Sequence, residues 1–169
     1  LNTHHHPYPV YMQRLGAVVS ANPHARVFAD EATAAQLAEV GIEATAVHEG
    51  DSPQVGVDVR VFGKDHAVIH PDIPIVPNVC YLIAGRLFHP GDSFTVPSAP
   101  VEILALPTSA PWLKLAETVD YLRTVAPRIA IPIHEAHLVS PDLYYGRFRD
   151  LAPDGTDVRI LDDAGPATV

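Results

Sequence analysis

Val55, Val57, Val59 and Val61 alternate with Gly56, Asp58 and Arg60. β-Branched residues at period two line one face of an extended chain, so this run predicts a half-buried strand. The mostly apolar runs Val101 to Leu106 and Arg128 to Ile133 predict strands covered on both faces. Val79 to Ala84 and Arg86 to His89 flank Gly85 and read as a hairpin. Arg26 to Ala29, Glu43 to Val47 and Asp157 to Leu161 read as further short strands. Asp30 is a good N-cap for a helix from Glu31 to Val40, which Gly41 stops. Pro111 opens a helix reaching about Val125, with Trp112, Leu115, Ala116, Val119 and Leu122 on one side. Leu143 to Leu151 predicts a short helix, and residues 8–20 a short helix or an irregular segment. Hairpins in the middle followed by alternating strands and helices predict a layered α/β sandwich rather than a purely parallel sheet.

The length, 169 residues, suits one domain spanning the whole chain. Hydrophobic residues at 47% and charged residues at 18% suit a packed globule. The formal net charge of −9, with 11 scattered Lys and Arg, argues against a nucleic-acid partner. No apolar run is long enough to span a membrane, and no leader pattern is visible, so a cytoplasmic location is the expectation. Cys80 is the single cysteine, which excludes an internal disulfide and a Cys-rich zinc site. It reads as a buried core thiol. The 17 prolines punctuate many short elements.

The candidate chemistry lies in histidines and one carboxylate placed where apolar strands give way to loops. His4 and His6 are two apart, so an extended backbone aims both to one side while His5 faces away. The His4-His5-His6 run also reads as a solvated stretch or an added tag. His66 follows the alternating strand, with His70 competing for its role. Asp92 sits in Pro90-Gly91-Asp92-Ser93, where a cation, backbone N–H groups or solvent must compensate its charge; an Asx-turn is the plainer alternative. His134 ends an apolar strand, and its ring nitrogens need partners. His137 belongs to the following loop, whereas His24, His48 and His89 read as surface or structural residues. Imidazoles and a carboxylate gathered from several strand ends suit zinc, with manganese and iron compatible.

This order resembles the metallo-β-lactamase superfamily, whose ligands come as Thr-His-x-His-x-Asp-His, a single histidine, Gly-Asp-Ser/Thr and a final histidine after a strand. Thr3, His4 and His6 match the first motif, His66 the single histidine, Asp92 the bridging aspartate and His134 the last. The stretches from His66 through Pro77-Asn78-Val79 to Asp92, and from Pro107 to His134, look most like the lactonase-like branch. The resemblance implies an αββα sandwich, incomplete at its N-terminal side, and a face covered by a second copy of the chain. It implies one or two ions, with His4, His6 and His66 on the first. Asp92 and His134 would hold a second ion or orient water, Asp92 being the nominated catalytic base. The implied activity is hydrolysis of a lactone, ester or phosphoester, a small-molecule substrate, by metal-activated water. Tyr8 and Pro9 stand where the family has its Asp-His pair. That departure keeps a second reading open, a non-catalytic metal-binding or interaction protein on the same scaffold. A cupin-like barrel is a third, opposed by the helix expected at 111–125.

Overall fold

The computed structural model describes residues 1–4 and 9–161. In chain order it runs α1 (Pro9–Ala21), β1 (Val27–Ala29), α2 (Glu31–Glu39), β2 (Ala44–Ala46), β3 (Val59–Phe62), β4 (Cys80–Ile83), β5 (Leu87–His89) and β6 (Ile103–Pro107). Then follow α3 (Leu115–Val125), β7 (Ile129–Ile133), a 3₁₀ turn (Glu135–His137), α4 (Pro141–Leu151) and β8 (Asp157–Val158).

Among the described residues, β1 and β2 form a parallel two-stranded sheet, and β3 to β8 form a six-stranded sheet in sequence order. The β3–β4 and β4–β5 pairs are antiparallel, whereas β5 through β8 pair in parallel. Side-chain alternation sorts these into layers. On β4, Cys80 and Leu82 join Phe88, Leu104 and Leu106 against Leu122 of α3 and Phe148 of α4. Val79 and Tyr81 face the other way and pack with Val59 and Val61 against Phe28 of β1. On β1 in turn, Val27 and Ala29 face Leu15 and Val19 of α1 and Leu37 of α2. The order is therefore helix, sheet, sheet, helix, as the α/β sandwich reading expected.

Several elements follow their sequence signals closely. Asp30 caps α2 by accepting from the Thr33 N–H at 3.0 Å, and Gly41 leaves the helix at φ +78. Ala84 and Gly85 take φ +54 and +62, the doubly left-handed turn whose twist suits a tight hairpin. Cys80 is fully buried, and burial pushes its thiol pKa up.

Other boundaries move, for physical reasons. The strand expected over Val55 to Val61 begins only at Val59. Val59 pairs with Ile83, the last residue of β4, and the Ala84-Gly85 turn leaves no partner strand for Val55 and Val57. The helix expected from Pro111 begins at Leu115, where the Lys114 N–H donates to Glu117 Oε2 at 2.7 Å. Trp112 is consequently on a turn ahead of α3 rather than on its apolar face. The strand expected over Val101 to Leu106 spans Ile103–Pro107 instead. α4 starts earlier than expected, with Pro141 in its first turn, and β8 is limited to Asp157–Val158.

Candidate metal centre

The turn after β5 places Asp92. Gly91 has φ +61, and a Cβ there would lie 2.3 Å from Asn78 Oδ1 and 2.7 Å from Thr3 Cβ. Only glycine fits. Asn78, fully buried, causes this crowding and fixes the turn. Its Nδ2 donates to the Pro90 carbonyl at 2.9 Å, and its Oδ1 accepts from the Asp92 N–H at 3.0 Å. A neutral amide thus holds both ends of the turn and leaves the Asp92 carboxylate to face the site.

His4 arrives from the other sheet. Its segment is stitched across the sandwich: the Asn2 N–H donates to Phe28 O and the Val79 N–H to Thr3 O, both at 2.8 Å. The Tyr81 hydroxyl donates to Asn2 O at 2.7 Å. His66 follows β3, where its N–H donates to Val76 O at 2.9 Å and the Ala67 N–H to Asp92 O at 2.8 Å. His66 Nδ1 lies 2.6 Å from the Ala67 carbonyl. A carbonyl can only accept, so Nδ1 carries a proton and Nε2 is the ring atom that faces the site.

Nε2 points at Asp92. His66 Nε2 is 3.3 Å and His4 Nε2 3.8 Å from Asp92 Oδ2. One donor atom from each of His4, His66 and Asp92 lies within 4.8 Å of the others. Ligands about 2.1 Å from a tetrahedral ion stand about 3.4 Å apart. The buried donor set therefore fits one divalent cation in size and in chemistry. His134 approaches from the end of β7 in a left-handed conformation, φ +65. Its Nδ1 is 3.4 Å from Asp92 Oδ1, so the two carboxylate oxygens serve different histidines.

Burial alone would raise the Asp92 pKa. The His66 hydrogen bond outweighs it, aided by the His4 and His134 charges and by Trp112, and holds the carboxyl far below the usual range. For His66, burial opposes the charged form, but the Asp92 and Ala67 hydrogen bonds win and the pKa rises.

Of the residues expected at the site, His4, His66, Asp92 and His134 come together. His6 and Tyr8 lie outside the described residues, and Pro9 opens α1. His70, the competitor of His66, is 60% exposed and pairs with Asp72 at 3.6 Å. His48 pairs with Glu31 and Asp51 on an exposed surface.

Sequence reading missed Trp112 and Asn78, while His89, read as surface or structural, holds the turn structurally. Trp112 Nε1 donates to Asp92 Oδ2 at 3.1 Å, and its ring meets His66 and Phe94 edge-on. His89 Nδ1 accepts the Gly91 N–H at 3.1 Å, beneath the same turn. Burial first, then the His134 charge, pushes its pKa down. The spacing of Trp112 points to a helix face instead, and a buried asparagine before a strand carries no period or spacing signal. Their roles exist only once distant segments meet.

A cavity of about 680 Å³ opens over the cluster. His4, His66, Asp92 and His134 line it together with Trp112 and the loop after His66.

Known proteins agree with this architecture. Residues 4–134 match the family model of the β-lactamase superfamily domain. Protein Rv0786c of Mycobacterium tuberculosis is 45% identical over 177 residues, covering 99% of this chain and 81% of that protein. Igni18, a metallo hydrolase from the archaeon Ignicoccus hospitalis, superposes with a TM-score of 0.69 at 13% identity, covering 95% of this chain and 75% of that one. A candidate metal-dependent hydrolase from Parabacteroides distasonis superposes with a TM-score of 0.68 at 16% identity, covering 94% and 74%.

Proposed function

This chain belongs to the β-lactamase superfamily, and from that premise we propose that it is a metal-dependent hydrolase of a lactone, ester or phosphoester. The observation that carries the reading is that His4, His66 and Asp92 bring one donor atom each within 4.8 Å of one another in the lining of a cavity. Zinc is the ion this donor set suits best, with manganese or iron compatible. A bound divalent ion would supply a water of lowered pKa and polarise the substrate's carbonyl or phosphoryl oxygen.

The chain's own residues divide the remaining work. Deprotonated, His4 and His66 would offer Nε2 to the ion. Asp92 acts as a ligand and orienting group rather than as the base first nominated for it. Its oxygens already face His4, His66, Trp112 and His134, and a carboxylate stabilised so strongly in its charged form is a weak proton acceptor. His134, 30% exposed, is placed to orient the attacking water or to hold a second ion beside Asp92 Oδ1.

Elemental analysis of the purified protein, with a panel of lactones, esters and phosphoesters, tests this reading. We expect at least one tightly held divalent ion per chain and turnover that a chelator abolishes. His66→Ala should lose the ion and lower kcat/KM by at least about a hundredfold. A chain that holds no ion would overturn the proposal; one that holds the ion and hydrolyses nothing would favour a non-catalytic metal-binding protein.

A further inference from the structure

The loop between His66 and Pro77 is closed at its base by the His66–Val76 hydrogen bond and the Asp65–Pro77 bridge. Its apolar side chains are not used to fill a core. Ile69, Ile73, Ile75 and Val76 are 43%, 47%, 55% and 40% exposed, and all four line the cavity over the metal centre. Trp112 and Ala136 add to the same lining. Exposed apolar side chains gathered in one place mark a surface that something apolar covers.

The charges in the lining narrow the choice. Among the described residues, its ionisable side chains are His4, His66, Asp92, His134 and His137, with no lysine or arginine. Among the described residues, a phosphoryl group or free carboxylate entering the cavity would find histidines and a bound ion as its cationic partners, in a chain whose net charge is −9. A neutral molecule with a hydrocarbon tail would meet isoleucine and tryptophan, with its polar end at the donor cluster.

We infer, resting on the hydrolase reading above, that the substrate is an uncharged carboxylic ester or lactone bearing a linear apolar chain, and that the loop over residues 67–76 seats the chain. The reaction balances with water alone. Water oxygen bonds to the carbonyl carbon, the bond from that carbon to the alkoxy oxygen breaks, and the water's protons end on the products, a carboxylic acid and an alcohol. In a lactone both products remain in one molecule.

Trp112 is the only tryptophan and lines the cavity, so its fluorescence reports occupancy whether or not hydrolysis occurs. The binding probes are methyl alkyl ketones of increasing chain length, which present a carbonyl and cannot be hydrolysed. We expect the Kd to tighten about three- to fourfold per methylene over the first several carbons. Ile73→Ser combined with Ile75→Ser should flatten that series, whereas Val18→Ser, on an exposed face of α1, should leave it intact. With metal-loaded protein, 4-nitrophenyl esters from acetate to decanoate should show the same rise in kcat/KM, and 4-nitrophenyl phosphate should not be turned over.

A flat ketone series, or a preference for the phosphate, would overturn the inference. So would a loop already covered by a second copy of the chain, seen as a dimer that the paired serine variant dissociates and to which the ketones do not bind. Chain-length-dependent ketone binding without any ester hydrolysis would leave the apolar seat standing and bring down the hydrolase reading instead. Hydrolysis without chain-length dependence would do the reverse.

Discussion

β6 and the loop over residues 67–76 carry similar apolar side chains and place them in opposite surroundings. In β6, Ile103 through Pro107 are all buried, because β5 and β7 flank the strand and α3 packs on it. In the loop, Val68, Ile69, Ile73, Ile75 and Val76 are all at least 40% exposed. Both stretches lie beside the candidate metal centre, since the end of β6 leads into the Ser109-Ala110-Pro111 wall of the cavity. Hydropathy alone does not separate a frame from a binding wall. What separates them is whether the backbone has a ladder to join. Pro71 and Pro74 lack N–H donors, and the described loop contributes only the isolated bridge at its base.

Three measurements sharpen or break that contrast. Leu104→Ala, which empties a fully buried position between α3 and the sheet, should lower the unfolding free energy by about 2–5 kcal/mol in urea titration. A loss below about 1 kcal/mol would mean that β6 is not the rigid frame described. Trp112→Phe comes next, at the junction of the two regions. Removing its donation to Asp92 Oδ2 should weaken metal affinity or turnover by about 10- to 100-fold, read by competition with a chromophoric chelator and by kcat/KM. An unchanged affinity together with unchanged turnover would leave Trp112 as wall alone. Ile73→Ala should move the unfolding free energy by no more than about 0.5 kcal/mol, despite removing as much hydrocarbon as a core truncation. A large loss there would show that the loop is part of the core after all.

The same contrast explains what could be read beforehand. Short-range rules captured the Asp30 cap, the hairpin around Gly85 and the apolar runs of β6 and β7, because each signal sits inside its own segment. The order His4, His66, Asp92, His134 was legible because His66, Asp92 and His134 follow β3, β5 and β7 within a few residues, where loops leave the sheet. Val55 and Val57 misled, since alternation describes a strand's face but not whether a partner lies alongside. Trp112 misled for a related reason: its spacing from Leu115 and Val119 suits a helix face, yet the helix starts after it. Asn78 gave no sign, because its hydrogen bonds reach the Pro90 carbonyl and the Asp92 N–H, which only the folded hairpin brings near.

The wedge of Gly91 between Asn78 Oδ1 and the Thr3 side chain has a consequence for how a nascent chain matures. His4 leaves the ribosome long before the residues that hold it, and Tyr81 lies 79 positions beyond the Asn2 carbonyl that it grips. Until translation has passed Asp92, no cation can find the His4–His66–Asp92 pocket complete. On the proposed reading, loading of an ion follows late tertiary closure, and a ribosome-arrested fragment ending before Pro90 should emerge unable to retain one there.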